Sequence, residues 1–586
     1  MNPAATKNKR SIFHLADLMA FYRQDPTRRI AISILIGVVS GLGAIAFFVA
    51  LEWSRWFCLA YLAGAGSPEP AGEQLVHMAV HTPYRPWLLF FIPAIGGLIS
   101  GLVVYTFAPE AEGHGMDAMI SAFHNLKGFI RTRVPFVKGF ASIVTLSTGG
   151  SAGREGPIAQ IGAGFGSWVS RVLKLSVQER RIFMLSGCAG GLGAIFRAPL
   201  GAAITSVEVL YREDFESEAI IPCVISSVIA FSMFTFVFGF DPIFATPGFV
   251  AHDPRQLPIF AVLGLVCAPM GGLYVKVFYG TRDAFRRLSI PKHFRPMLGG
   301  LGVGAIALFI PQAIGGGYGY LQMAIFGELS ILIMCLAATA KIATTSLTIG
   351  SGGSGGVFGP TLFIGGMIGG VVGLVGMAAF FSGAAKAPLG ALIMVTEMTQ
   401  SYALLPPLML VSVIAILFNR GSSIYEKQVA NKFQSPAHED DLTVNVMEEL
   451  TVEQVFKPER PFTALPANTP FAGLQKAVAT SGQTIFPVTD DDGAFVGLLS
   501  FTNVRTVLFE DSLRDLVVVG ELSSPPVSLR LGESLYDALL KFLETGYGQL
   551  PVAELRQGRQ HILGMLDHNE VTAAYHREVS RRMNPE

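Results

Sequence analysis

The residues best equipped for chemistry stand at 149–157, Gly149-Gly150-Ser151-Ala152-Gly153-Arg154-Glu155-Gly156-Pro157, a carboxylate beside a guanidinium in glycine-rich, otherwise apolar sequence. Glycines ahead of a helix permit tight turns and leave backbone N–H groups unobstructed. Those amides, reinforced by the helix dipole, attract anions. Glu155 is then a tethered anion placed where a free one would bind, able to plug a pathway when ionised and vacate it when protonated or outcompeted. The plainer reading is a carboxylate that caps its own first turn. The frame recurs at 352–360, Gly352-Gly353-Ser354-Gly355-Gly356-Val357-Phe358-Gly359-Pro360, without the acid, and that difference favours a gate over a cap. Both copies also fit Gly-x-Ser-x-Gly, the turn that presents a nucleophilic serine in hydrolases. One catalytic serine does not need two copies, and only His114 or His124 could act as base, so an intramembrane serine hydrolase is a remote alternative. No catalytic residue is assigned.

Composition says what kind of elements must hold this charged island. Of 586 residues, 51% are hydrophobic and 15% charged, and 65 are glycine; mean hydropathy is +0.48. These values lie outside the soluble range and define a membrane protein. Apolar stretches of about bilayer length run over 30–53, 87–107, 220–238, 257–279, 331–347 and 404–418, with shorter glycine-broken runs between. Irregular backbone at membrane depth is tolerated only where protein buries it or it lines a cavity, so the broken runs are where function is expected. A net charge of zero argues against a nucleic-acid partner. Lys7, Lys9, Arg10, Arg23, Arg28 and Arg29 precede the first span and predict a cytoplasmic N-terminus; residues 11–21 read as an interfacial amphipathic segment. Five scattered cysteines show no pairing or metal-ligand spacing. His77 and His81 would share a helix face but lack a third ligand, so no metal site is predicted. A metal transporter would also need clustered Asp, His or Cys in the broken helices, and the sequence has none.

Repetition organises the membrane part. Gly113-His114-Gly115 answers Gly317-Tyr318-Gly319 at an offset of 204, Lys138 answers Lys341 and Gly149 answers Gly352 at 203, and Ala198-Pro199-Leu200-Gly201-Ala202 answers Ala387-Pro388-Leu389-Gly390-Ala391 at 189. Glu208 and Glu397 each follow their proline by nine residues. Paired interruptions in two repeats point to a transporter-like fold with its site between the halves. Beyond about 445 the text becomes that of a soluble α/β domain, itself duplicated, as Phe486-Pro487-Val488 to Ser500 resembles Leu550-Pro551-Val552 to Asp567.

The two frames, the interval Ala108-Pro109-Glu110-Ala111 leading to Gly113-His114-Gly115, and Tyr425 in Ser423-Ile424-Tyr425 resemble the anion-pathway motifs of the CLC family of chloride channels and proton/chloride exchangers. The resemblance implies a mainly α, polytopic membrane fold of two inverted helical repeats with broken helices, working as a homodimer with one anion pathway per subunit. It places a cytoplasmic segment at 1–29, a transport domain at 30–436 with repeats at about 87–215 and 297–405, and a tandem CBS α/β domain at 437–586, with halves at about 450–512 and 519–580. By the family pattern Glu155 is the gating glutamate. His114, Gly115, Arg154, Gly156, Val357, Phe358 and Tyr425 line the anion site.

This sequence departs from the family pattern in two places. His114 stands where the family has a serine, with Asp117 where it has a proline; an imidazole can donate to an anion and can gain charge near neutral pH, which predicts altered selectivity or pH dependence. Val209 stands where the exchangers have an internal proton glutamate, with Glu208 beside it. That substitution favours a passive, Glu155-gated channel for chloride or a similar anion; proton-coupled exchange is the alternative, with Glu208 or Glu213 as substitute relays. In the CBS pair the family's ribose-binding aspartate is absent from both turns. Ser500, Asn503, Asp567 and Glu570 are the positions left for an adenine nucleotide. Chloride is the expected cargo, lipid the surroundings, and a bacterial inner membrane with both termini cytoplasmic the expected location.

Overall fold

Runs of apolar residues interrupted by glycine and proline make many short helices rather than a few long ones. The computed structural model describes residues 26–73, 82–246, 254–438, 446–481, 483–505 and 517–583. Lys7, Lys9, Arg10, Arg23, the 11–21 segment, His77, His81 and the acidic run at 439–441 lie outside the described residues. The chain divides into two units, Met1–Lys432 and Phe433–Glu586.

Among the described residues of the first unit, five helical stretches are long and apolar enough to cross a membrane, Pro26–Leu62, Pro86–Phe107, Ser217–Phe238, Leu257–Arg287 and Ile331–Gly350. The expected sixth span becomes a helix of only 14 residues. Helix α1 (Pro26–Arg55) precedes a first set made of α2 (Pro86–Phe107), α3 (Met116–Asn125), α4 (Val134–Ser147), α5 (Glu155–Val172), α6 (Val177–Phe196), α7 (Pro199–Glu208) and α8 (Ile220–Phe238). Helix α9 (Leu257–Arg287) then precedes a second set, α10 (Arg295–Ala307), α11 (Tyr318–Ile325), α12 (Ile331–Gly350), α13 (Phe358–Gly369), α14 (Gly373–Ala385), α15 (Pro388–Thr399) and α16 (Leu405–Phe418).

The two sets match in their smallest details. Gly162 of α5 faces the Gly187 carbonyl of α6, and Gly365 of α13 faces the Gly376 carbonyl of α14, so tightly that a Cβ on any of the four would strike backbone. Close helix contact through small residues is how membrane helices gain packing where solvent gives them no hydrophobic drive. Helices α6 and α14 both end on a basic residue in left-handed conformation, Arg197 (φ 52°) and Lys386 (φ 59°). Each then caps the last helix of its own set. Arg197 donates to the carbonyls of Asp241 and of Phe238 at the end of α8, and Lys386 to Asn419 at the end of α16, satisfying orphan C-terminal carbonyls with positive charge.

One pairing read from the sequence is shifted. Helices α3 and α11 start after Gly115 (φ 80°) and Gly317 (φ 78°), each preceded two residues earlier by another left-handed glycine, Gly113 (φ 74°) and Gly315 (φ 56°). Gly113 therefore answers Gly315 rather than Gly317, an offset of 202, and His114 answers Gly316. Hydrogen bonding decides the register, because Lys138 donates to Ala111 and Gly113 as Lys341 donates to Ala313 and Gly315.

The second unit contains two similar halves. In the first, β1 (Leu465–Pro466), α18 (Phe471–Thr480), β2 (Ile485–Thr489), β3 (Phe495–Ser500) and α19 (Phe501–Arg505) follow a single turn α17 (Val452–Val455). The second has α20 (Val519–Leu522), α21 (Leu535–Thr545), β4 (Gln549–Arg556), β5 (Arg559–Asp567) and α22 (His568–Met583). Strand β2 runs parallel to β1 and antiparallel to β3. Strand β4 is antiparallel to β5 and takes a parallel bridge from Leu529, so the second half repeats the first.

Candidate functional site

The two glycine frames meet end to end. Gly153 and Gly356 exchange both backbone hydrogen bonds, at 2.8 and 2.7 Å, which brings the N-termini of α5 and α13 together at one point. Each frame is also braced by the other set, since Gly113 bonds with Gly353 and Gly355 at 3.2 Å and Gly315 donates to Gly149 at 3.2 Å. Lys138 and Lys341 are fully buried. Each ammonium is held by two carbonyl oxygens of the turn that leads into the preceding helix, at 3.1 and 2.7 Å for Lys138 and 3.4 and 2.5 Å for Lys341. Burying a charge without such partners costs several kcal/mol. Here the partners are the carbonyls that would otherwise repel an anion.

Glu155, the first residue of α5, is 1% exposed. Its Oε1 accepts a 2.6 Å hydrogen bond from the N–H of Gly359, in the first turn of α13. The carboxylate thus reaches across to the second frame. Its Oε2 has no hydrogen-bond partner among the described residues. A carboxylate with one oxygen held and one left unpaired in a buried place is poised to leave. Around it, Val357 and Phe358 are buried at the start of α13, the Phe358 ring lying 5.0 Å from Phe196 and 4.3 Å from Phe381. Gly156 is needed as glycine, because an added Cβ would strike the carbonyl of His114 and lie 2.9 Å from the Gly356 Cα.

Arg154 points elsewhere. Its guanidinium makes a paired, buried contact with Glu73 through both terminal nitrogens and lies 5.2 Å from the rings of Phe48 and Tyr318. Sequence reading missed Glu73, which comes from the loop before α2, and Tyr318, whose buried hydroxyl is unpartnered. That hydroxyl would be 2.9 Å, and Glu155 Oε2 3.3 Å, from a Cβ on Gly359. The repeat had marked Tyr318 only as a turn residue.

Two cavities approach this point. A small one of about 70 Å³ is lined by Glu73, Gly153, Arg154, Gly317 and Tyr318 among others. A larger one of about 590 Å³ is lined by Gly113, His114, Gly115 and Asp117 together with Tyr279, Arg282 and Glu426. Gly115, on the wall of the larger cavity, packs against the carbonyl of Gly156, the residue after Glu155.

His114 and Asp117, two oddities in the sequence, are hydrogen-bonded to each other, Nε2 to Oδ2 at 3.1 Å. The other ring nitrogen, Nδ1, is buried without a partner. The His114 ring centroid lies 5.5 Å from that of Tyr425, which is 1% exposed. Val209 is fully buried, its carbonyl taken by Gln428 at 3.0 Å. Glu208 is held by the N–H groups of Leu389 and Gly390 at 3.0 and 2.7 Å. Glu397 is held in the same way by Leu200 and Gly201 at 3.3 and 2.7 Å. Each carboxylate caps the opposite set's helix, α15 or α7. The Ser151 hydroxyl lies 3.0 Å from that of Thr345, and Ser354 bonds Ser142 and Ala111; His124 is spent on the carbonyl of Leu210. No base contacts either serine among the described residues.

In the second unit the four nucleotide candidates separate. Ser500 and Asn503 bond each other, and the Asn503 amide donates to Leu522 and to Ser524 at 3.0 and 2.9 Å, so that pair is absorbed by the fold. Asp567 and Glu570 line a cavity of about 300 Å³ with Lys457, Arg460 and Arg577.

Fold and site together define a multi-pass membrane protein of two inverted repeats, with an anion-attracting point where their helix N-termini meet. Residues 96–420, more than half of the chain, match the family model for the voltage gated chloride channel, and residues 519–577 match the CBS domain. A putative chloride channel protein, ClcB-like, of Ralstonia nicotianae is 29% identical over 426 residues, 68% of this chain and 96% of that one. The H(+)/Cl(-) exchange transporter ClcA of Vibrio parahaemolyticus is 31% identical over 373 residues, 58% of this chain and 79% of that one. A slow cyanobacterial Cl-/H+ antiporter of known structure shares the fold, with a TM-score of 0.60 at 22% identity over 68% of this chain and 96% of that one. The chain belongs to the CLC family of chloride-transporting membrane proteins and carries a C-terminal CBS domain.

Proposed function

We propose that the chain exchanges chloride, or a similar small anion, for protons across a bacterial cell membrane, as a homodimer with one pathway per subunit and both termini cytoplasmic. The observation that carries the reading is the Glu155 carboxylate, buried at the junction of the two frames and bonded to the Gly359 amide. A free anion arriving there replaces the carboxylate on the same donor; a proton on the carboxylate releases it. Anion and proton thus compete for one gate, which is the minimum device for exchange. In this reading the amides around Gly115, Gly156, Val357 and Phe358 bind the ion, with His114 and Tyr425 beside it. Arg154 sets the outer edge through Glu73. The transport domain spans 30–436, with repeats at about 87–215 and 297–405. The CBS pair spans 437–586, with halves at about 450–512 and 519–580, and any adenine nucleotide sits on the Asp567–Glu570 side.

Relatives of 27 and 31% identity named as exchange transporters favour coupling over the passive flow that Val209 suggested. The passive channel stays as the second reading for one observation: the inner position is valine, and its neighbour Glu208 is occupied as a helix cap. Purified protein in liposomes, given a chloride gradient and monitored for both ions, separates the two. Exchange drives protons uphill against their own gradient, whereas a channel moves chloride and leaves the proton gradient to decay.

A further inference from the structure

We propose that His114 and Asp117 form the inner proton-transfer site of the exchanger, in place of the carboxylate missing at Val209; the inference rests on the exchange reading above. Three observations carry it. Both residues line the larger cavity, and Gly115 beside them packs against the carbonyl of Gly156, the neighbour of Glu155. The two are joined between Nε2 and Asp117 Oδ2 at 3.1 Å, a bond along which a proton can pass in either direction. That Nδ1 is buried and unpartnered among the described residues.

The groups that surround the pair leave it free to act. From α9, Arg282 is paired with Glu426 at 2.6 Å and Tyr279 donates to the carbonyl of Ile424 at 2.7 Å. From the segment after α16, Tyr425 places its ring against His114, and Lys427, which also lines the cavity, donates its backbone N–H to Asp117 at 3.1 Å. From α4, Lys138 is committed to two carbonyls. Glu112, in the turn before α3, lines the same cavity. The rival carboxylates are worse placed: Glu208 holds two amides of α15, and Glu213 is exposed.

The step balances as follows. A hydronium in the cavity gives one proton to the Asp117 carboxylate, which hands it across the Oδ2–Nε2 hydrogen bond to the ring, leaving an imidazolium offset by the Asp117 carboxylate with a proton on the buried Nδ1. The proton then passes to the Glu155 carboxylate, which restores neutral His114 and makes Glu155 a neutral acid that no longer competes for the Gly359 amide. No electron moves. Helix α3 supplies the spacing, since residue 114 precedes its N-cap and residue 117 is in its first turn, where a carboxylate is favoured by the dipole.

The test uses full-length protein in liposomes and reads the ratio of protons to chloride under a chloride gradient. Wild type pumps protons; D117N and H114S lower the ratio at least about tenfold, and D117E retains it. V209E introduced with H114S restores coupling. An unchanged ratio in both D117N and H114S overturns the inference while leaving exchange intact. Wild-type protein that carries chloride but pumps no protons overturns the exchange reading, and this inference with it. A variant that fails to insert is replaced by its partner, because either half of the pair suffices to break the relay.

Discussion

Removing the Glu155 side chain tests the gate most directly, and the structure sets the size of the effect. The bond from Gly359 is charge-assisted and contributes about 1.5–3 kcal/mol. Against it stands the unpartnered Oε2, whose desolvation costs about 1–3 kcal/mol. The difference spans about −1.5 to 2 kcal/mol, so the plug's occupancy ratio reaches about 30 at most, at 0.59 kcal/mol per RT. A ligand that must displace such a plug binds more weakly by one plus that ratio. Glu155→Ala is therefore expected to tighten apparent chloride affinity by up to about 30-fold, measured by isothermal titration calorimetry in detergent. It should also remove the rise in chloride flux that acid produces by protonating the carboxylate. Equal or weaker chloride binding in Glu155→Ala, with acid dependence kept, refutes the plug and returns Glu155 to the role of a helix cap.

Other consequences are sharper still in sign. Gly153→Ala places its Cβ first against the Glu155 carboxylate, the flexible end of a side chain, so it should displace the plug and raise resting chloride flux; Gly156→Ala strikes the backbone of His114 and should abolish flux instead. Glu73→Gln leaves the buried Arg154 without its counter-charge and is expected to destabilise the protein by about 3–5 kcal/mol. Thermal melts of that variant against Glu73→Gln combined with Arg154→Met should show much of the loss recovered. Asn503→Ala removes two side-chain donations and should destabilise the second unit by about 1–2 kcal/mol. Binding of ATP, ADP or AMP, if present, should be unchanged in that variant and weakened by Arg460→Ala at the Glu570 cavity.

Much of this was legible because duplication prints itself on sequence. Offsets of 203 and 189 recur physically as the paired contacts Gly162–Gly187 and Gly365–Gly376, so the repeat gave the architecture before any coordinate. Glu155 stood out by the absence of its counterpart in the second frame, and the structure buries it where the two frames meet. What escaped was whatever depended on which atoms meet across long separations. Glu73 reaches Arg154 from 81 residues away, and nothing near either residue announces the pair. Glycines at 113, 315 and 317 look alike as letters, and only lysine–carbonyl bonding fixes which answers which. His114 and Asp117 were read together as one departure but not as a bonded pair, because a turn-to-helix boundary, rather than a regular helix, carries their spacing. Ser500 and Asn503 looked like vacant ligand positions, but a short polar side chain at a strand end finds local backbone partners more readily than it waits for a ligand.

The crossed caps at Glu208 and Glu397 have a consequence for how such a chain could arise. A half-length copy cannot cap its own α7-type helix with its own α7-type acid, because the acid leaves the far end of that same helix. It can do so only by meeting a second copy turned over, each lending its carboxylate to the other, which is a self-complementary two-fold contact. The reciprocity seen between α7 and α15 has the form of the contact that two separate half-length copies would make with each other. In the fused chain each half still lacks an acid that the other half supplies.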